Sequence, residues 1–531
     1  MNLDYSCPYP SQRMPVMARN VVATSQPLAA QAGLRALQLG GNAVDAAIST
    51  AAALTVVEPT SNGLGSDAFA LVWDGERLHA LNGSGRSPMA MGPERFTGSD
   101  AMPREGWDSV TVPGAVSAWV ALHERFAALP LETLLEPAVR YAEQGFAVSP
   151  IIAHAWERSR ARFARRPDWS SAFTPHGRAP RPGETWRFPE QARSLELIAR
   201  TRGEAFYRGQ LADAMVSHAR DEGGLLEHAD LDAHRADWVE PLAADYHGHE
   251  LHELPPNGQG LAALIALGIL RHRADLADHA LDSAPWLHLQ IEAIKLALAD
   301  AERWVADPTF MLEVSPEALL DDGYLAERAA LIDPRSAGDP GHGRPQRGGT
   351  VYLSCADESG RMVSFIQSNY VGFGSGVVVP GTGIAMQNRG YGFVLEPGHP
   401  NRVAGGKRPF HTIIPAFLSE AGVPRCSFGV MGGPMQAQGH VQMTLRLVDH
   451  RQNPQSASDA PRWRVAGGRR LALEPSVPAA TLQALASLGH DVQVTAPDES
   501  FSFGGAQLIW REDDVYVAGS DHRKDGQAVG Y

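Results

Sequence analysis

The stretch DPRSAGDPGHGRPQRGGTVYLSCA, residues 333–356, divides the chain into two unlike parts. Asp333 to Gly349 hold almost no large apolar side chain and are rich in Gly, Pro and charge, so they read as an exposed, flexible connector. From Thr350 the pattern turns abruptly to β-branched and aromatic residues, which predicts a strand over Thr350–Ala356. A threonine at that junction invites one chemistry. If the Gly349–Thr350 bond were cut, Thr350 would carry a free α-amine, whose ordinary pKa of about 7.7–8.0 leaves part of it neutral near pH 7. Such an amine can take the proton of its own hydroxyl, so one residue is both nucleophile and base. Gly349 would give the backbone the freedom that attack on its carbonyl needs. The plain alternative is a loop running into a strand, with threonine there for its β propensity.

Upstream of the connector the chain reads as helix-rich. Leu28, Ala32, Ala36 and Leu39 recur at helical spacing until Gly40-Gly41 stops them. Asn42 can cap a second helix, Ala43 to Val56, apolar nearly all round and therefore expected to lie buried against a sheet. Ala68 to Trp73 and Arg77 to Leu81 flank Asp74-Gly75 as a hairpin. An amphipathic helix is expected over Ala115 to Phe126. Residues 130–330 read as mostly helical, with loops at 165–190 and 253–260. Downstream, strands are expected at Met362–Asn369, Gly376–Pro380, Ile384–Gln387, Asp491–Val494 and Ala506–Trp510, and helices at Gln438–Val448 and Pro478–Leu488.

Composition narrows the class. The chain has 531 residues, 44% hydrophobic and 20% charged, which permits a large core and excludes global disorder. A net charge of −14 argues against a nucleic-acid binder, which would carry a basic face. Cys7, Cys355 and Cys426 form no CxxC pair, so a zinc ribbon, a redox dithiol and a disulfide framework are not expected. Met1 to Pro15 lack a basic n-region and an apolar h-region, and the strongly apolar run near Leu261–Leu270 is too short to span a bilayer. The expectation is a cytoplasmic protein with no membrane partner.

The motifs then converge. Gly40-Gly41-Asn42-Ala43-Val44-Asp45-Ala46-Ala47, Glu58-Pro59-Thr60-Ser61-Asn62-Gly63-Leu64-Gly65, Gly85-Arg86-Ser87-Pro88 and Val112-Pro113-Gly114 stand before the connector, with Pro255-Pro256-Asn257-Gly258-Gln259-Gly260. Thr350-Val351-Tyr352-Leu353-Ser354, Gly372-Phe373-Gly374-Ser375-Gly376, Lys407-Arg408-Pro409, Gly432-Gly433 and Gly530-Tyr531 follow it. In this order the chain resembles the γ-glutamyltransferase family of N-terminal nucleophile hydrolases. The resemblance implies an α+β fold, a four-layer αββα sandwich, in one compact unit. It also implies a proenzyme cut between Gly349 and Thr350 into a large chain, 1–349, and a small chain, 350–531. These would stay together as a heterodimer, with further dimerisation left open. No cofactor and no metal are implied. By the same resemblance Thr350 is the nucleophile and Ser368 supplies the hydroxyl that supports it. Gly432 and Gly433 supply oxyanion amides, and Arg86 pairs with a substrate carboxylate.

The departures lie in the acyl-donor pocket. The family holds the α-ammonium of a γ-glutamyl group with an aspartate shortly after a Gly-Ile-x-x-x-Asn segment. Here Gly383-Ile384-Ala385-Met386-Gln387-Asn388 is followed by Arg389-Gly390-Tyr391-Gly392, which puts Gly392 at the aspartate position and Arg389 at a glutamine position. No carboxylate occurs from Val377 to Leu395. Tyr370 stands for a family asparagine and His411-Thr412 for a serine pair. A buried ammonium without a counter-ion is costly, and a nearby arginine makes it worse. The expected acyl group therefore carries a carboxylate and no amine, glutaryl-, succinyl- or oxamate-like. These changes resemble the branch with oxamate amidohydrolases and cephalosporin-type acylases. Two alternatives stay open: a true γ-glutamyl hydrolase or transferase in which another acid, such as Asp67, holds the amine, and an unprocessed binding scaffold. Tyr246 to His252 looks faintly like a metal cluster, but on a strand His247 and His249 would share one face and His252 the other. Cys355 and Cys426 are expected in the core.

Overall fold

The structure is a computed structural model that describes residues 9, 13–340, 349–496, 499 and 502–531. Cys7 and connector residues 341–348 lie outside the described residues.

Two seven-stranded sheets face one another. One runs in the order Gln527–Gly530, Val21–Thr24, Gly349–Ala356, Met362–Tyr370, Asp67–Trp73, Leu78–Asn82 and Asp237–Val239. The other runs Val16–Ala18, Val515–Ser520, Ala506–Glu512, Val423–Val430, Ala416–Glu420, His249–Glu253 and Leu242–Tyr246. Helices cover the outer face of each, which gives the expected αββα sandwich. Both sheets take strands from before and after the connector, so neither part has a closed sheet of its own.

The alternation along each strand explains the layers. Val351, Leu353 and Cys355 pack outward against the Ala43–Val57 helix, while Tyr352 and Ala356 face the opposite sheet with Phe69, Ile366, Phe417 and Ile509. The Ala43–Val57 helix is buried on every side, as its composition requires. Asn42 caps it, accepting from the Val44 and Asp45 amides while Asp45 accepts from the Asn42 amide. Gly33 lets the preceding helix approach, since a Cβ there would stand 2.2 Å from Thr50 Oγ1. The second sheet is covered by the Gly260–Arg271, Ala284–Trp304 and Met435–Val448 helices.

Residues 130–330 are less uniformly helical than the sequence suggests. Asp237–Val239, Leu242–Tyr246 and His249–Glu253 are sheet strands, and Pro167–Phe173 forms a helix inside the expected 165–190 loop. Two of these strands close sheet edges, where one flank meets no neighbour, and their polar residues blur the period-2 signal. His247-Gly248 make the turn of the last hairpin, so His247 shares no strand face with His249; it bonds Asp449 at 2.8 Å. The connector also begins later than its composition suggests. Ala337 is buried and donates to the Leu488 carbonyl, and both polar groups of Gly338 are held by the Glu292–Lys295 pair. Cys355 and Cys426 are buried, and burial pushes both thiols upward. Among the described residues, no helix is long and apolar enough to cross a membrane.

Candidate active site

Thr350, Ser368 and Asp67 lie on three adjacent strands of one sheet. Ser368 and Asp67 are register partners, and a register shift between Gly349 and Val351 marks the start of the Thr350 strand. Asp67 and Ser368 share the parity of Phe69 and Ile366, which face the opposite sheet. The row therefore sits between the sheets, at the strand ends. Thr350 Oγ1 donates to Ser368 Oγ at 3.2 Å, and Ser368 Oγ accepts from the Tyr370 amide at 2.7 Å. Tyr370 has φ 75°, the left-handed region that a non-glycine residue adopts at a cost.

The opposite sheet supplies the next group. Gly432-Gly433 link the Val423–Val430 strand to the Met435–Val448 helix. The Gly432 carbonyl accepts from the Met435 amide, and the Gly433 carbonyl accepts from the Gln436 amide and from Gln259 Nε2 at 2.9 Å. In a trans peptide the N–H points opposite to the carbonyl, so the Gly433 N–H faces away from the helix. Gly432 at φ 122° and Gly433 at φ 62° are conformations that only glycine adopts cheaply. Gln436, which carries no sequence motif, donates from Nε2 to Thr350 Oγ1 at 3.4 Å.

A buried polar cluster adjoins this row. His411 Nε2 and Asp67 Oδ2 are 3.1 Å apart, and Asp67 Oδ1 accepts from the Gly85 amide. Arg389, wholly buried, donates from Nη1 to Thr412 Oγ1 at 2.9 Å and lies 4.4 Å from the Tyr370 ring centroid. Among the described residues its Nε and Nη2 have no partner. Burial pushes the Asp67 carboxyl up to about 7, against the pull of Arg389. Burial also lowers Arg389 to about 10, and it holds His411 well below the usual histidine range, with both nearby arginines adding to that effect. The acid that the sequence left ambiguous thus sits in the candidate pocket, against the residue pair that replaces the family serines.

Arg86 directly follows Gly85, whose amide donates to Asp67. It is partly exposed, pairs with Asp307 at 2.9 Å and donates to the Gly406 carbonyl. Gly392 comes close to the Phe410 carbonyl, where a Cβ would stand 2.7 Å away. Among the described residues, two groups of metal-ligand side chains converge, His288/Glu292/His490 and Asp168/His218/Glu222. Their atoms already serve internal bonds: His288 Nδ1 to His490 Nε2 at 2.8 Å, Glu292 to Lys295 at 2.7 Å, and Asp168 and Glu222 to Arg166.

The chain is similar to known proteins along nearly its whole length. The gamma-glutamyltranspeptidase family profile covers residues 29–531. The glutathione hydrolase-like YwrD proenzyme of Bacillus subtilis is 37% identical over 97% of this chain and 100% of its own length. The oxamate amidohydrolase proenzyme of Klebsiella pneumoniae is 37% identical over 95% of this chain and 97% of its own. The crystal structure of cephalosporin acylase from Bacillus halodurans superposes with a TM-score of 0.93 at 48% identity, covering 100% of this chain and 99% of that one. The chain belongs to the γ-glutamyltranspeptidase family and is an N-terminal nucleophile amidohydrolase.

Proposed function

We propose that the chain cuts itself between Gly349 and Thr350 and then hydrolyses a small amide whose acyl part carries a carboxylate. In the first step Thr350 Oγ bonds to the Gly349 carbonyl carbon, and the Gly349–Thr350 C–N bond breaks. The hydroxyl proton ends on the new amine. Water then cleaves the ester and frees the Gly349 carboxylate. In turnover the Thr350 amine takes the Oγ proton and passes it to the leaving amine as the substrate C–N bond breaks. Water, or an acceptor amine, releases the acyl group from Thr350. The Gly432-Gly433 turn is the proposed oxyanion site.

The observation that carries the substrate class is the vacant Nε–Nη2 edge of Arg389, wholly buried beside Tyr370. A guanidinium edge of this kind matches the two oxygens of a carboxylate. The contact path Thr350–Ser368–Tyr370–Arg389 links it to the nucleophile. Thr412 and His411 complete the wall. Arg86 is proposed for a second carboxylate at the exposed rim, where substrate would displace Asp307. An oxamate- or glutaryl-like acyl group fits this charge pattern, and the oxamate amidohydrolase and cephalosporin acylase relatives favour it.

One observation favours a second reading. Asp67 stands opposite Ser368 in the same row, which makes it the candidate to hold the ammonium of a γ-glutamyl donor. Competition between glutaryl-p-nitroanilide and γ-glutamyl-p-nitroanilide decides between them, with ammonia release from oxamate run alongside. Preference for glutaryl or oxamate supports the Arg389 reading, and preference for γ-glutamyl supports Asp67. Intact mass tests the cut: Thr350→Ala should remain one uncut chain.

A further inference from the structure

Gln436 is the second residue of the Met435–Val448 helix and is fully buried. Its side chain serves two partners. Oε1 accepts from the Ile414 amide at 2.9 Å, and Nε2 donates to Thr350 Oγ1 at 3.4 Å. The first bond fixes the second. An amide whose oxygen must meet a backbone N–H can present only its NH2 on the other side, so the orientation toward Thr350 is not a free choice. The surrounding segment is braced as well, because Gln259 Nε2 donates to both the Thr412 and Gly433 carbonyls.

Thr350 Oγ1 is thus bonded on both sides. It gives its proton toward Ser368 and receives one from Gln436. A donor aimed at an oxygen is worth most when that oxygen is charged, and a bond that is long in the resting state tightens as charge develops. The Gly432-Gly433 amides belong to the carbonyl oxygen of the substrate. Ser368 accepts from Thr350 Oγ1 in this state, whereas Gln436 already donates to the nucleophile oxygen.

We propose that Gln436 is a catalytic residue that stabilises negative charge on Thr350 Oγ, both when it attacks a carbonyl carbon and when it leaves the acyl ester. The two events are mirror images. On attack the Oγ–C bond forms and the hydroxyl proton passes to the Thr350 nitrogen, which is a free amine in turnover and in self-cleavage takes the proton as the Gly349–Thr350 C–N bond breaks. On release the Oγ–C bond breaks and the proton returns. Gln436 keeps its own protons throughout and supplies only the hydrogen bond. The inference rests on Thr350 being the nucleophile, and it is independent of which acyl group is bound.

Gln436→Glu separates the two tasks. It retains an oxygen for the Ile414 amide but sets a second acceptor against Thr350 Oγ. Near pH 8, self-cleavage and the kcat for glutaryl-p-nitroanilide should each fall about 100-fold, the loss expected for one oxyanion donor. KM should stay close to native, while the buried carboxylate lowers the melting temperature near pH 8 and its protonation at lower pH recovers it. Protonation of the new carboxyl restores a donor, so the ratio of variant to native rate should rise as pH falls. Gln436→Asn, an amide one methylene shorter, should lower both rates without that pH trend. Thr350→Ala runs beside them. A cut Thr350→Ala chain would remove the nucleophile reading itself. An uncut Thr350→Ala chain, with Gln436→Glu cleaving itself within threefold of native at every pH, would overturn the Gln436 proposal alone. If Gln436→Glu does not fold, Gln436→Asn at native self-cleavage rate overturns it equally.

Discussion

The Arg389 guanidinium lies over the Tyr370 ring at 4.4 Å, and its Nε–Nη2 edge has no partner among the described residues. A buried arginine left this way costs stability that a bound carboxylate recovers. Arg389→Gln should therefore raise KM for glutaryl-p-nitroanilide by about 100-fold, the loss of a buried charge pair being about 2–5 kcal/mol. Cleavage at Gly349–Thr350 should still occur, because the acyl pocket takes no part in it. An unchanged KM would remove Arg389 from the pocket.

Asp67 gives the pocket a pH dependence whose sign follows from its neighbours. Burial raises its carboxyl to about 7. Tyr370 is pushed up to about 12 and His411 well down, so both stay neutral around that point, and Arg389 at about 10 stays charged. Below pH 7 Asp67 is protonated and the Arg389 charge is free for an acidic acyl group. Above it the carboxylate neutralises Arg389 and repels that group. KM for glutaryl-p-nitroanilide should rise as pH passes upward through 7, and Asp67→Asn should flatten the curve. A KM that falls over the same range contradicts the charge assignment.

The Ser368 hydroxyl takes the Thr350 proton side and the Tyr370 amide at once. Ser368→Ala should slow self-cleavage and kcat by about 10- to 100-fold, the effect of one hydrogen bond to a reacting group. Ser368→Thr restores the oxygen and should recover most of both. Time courses of intact mass read the first rate and nitroaniline release the second. Failure of the threonine variant to rescue would mean that packing at 368, not the hydroxyl, is what matters.

What the sequence made legible was local. The Ala43–Val57 helix has its cap and its apolar surface within one segment, and the Asp67–Asn82 hairpin has its turn between two apolar runs. Thr350 and Gly432-Gly433 were named from motifs, and the fold sets Thr350 beside Ser368 and Gln436. The strands at 237–253 were not legible, because two are short edge strands and the third, His249–Glu253, holds a single leucine among His and Glu. Gln436 was invisible for a different reason. A glutamine in the first turn of a helix has no signature, and its meaning depends on Ile414 and Thr350, which approach it only in the folded chain. Asp67 was ambiguous on the same ground. Its role depends on register with Ser368 and on His411, 344 positions away.

The start of the connector is held by a buried charge pair, and it offers a stability test separate from the chemistry. Lys295 Nζ donates to Glu292 at 2.7 Å and to the Gly338 carbonyl at 3.0 Å, while Glu292 accepts from the Gly338 amide. Desolvation lowers the Lys295 amine, and the Glu292 carboxylate opposes that shift. His288 adds a bond to the Asp333 carbonyl and one to His490, which lies beyond the proposed cut. The pair holds Gly338, while the Ala337 amide on the Leu488 carbonyl and the His288 ring on His490 tie this segment to residues beyond the proposed cut. Lys295→Met leaves the Glu292 charge buried without its partner and should cost about 3–5 kcal/mol. Glu292→Gln combined with Lys295→Met removes both charges and should recover part of that loss, since an amide can still serve Gly338. Calorimetry on the processed enzyme reads both. If Lys295→Met melts within about 1 °C of native, the pair is not what anchors the end of the large chain.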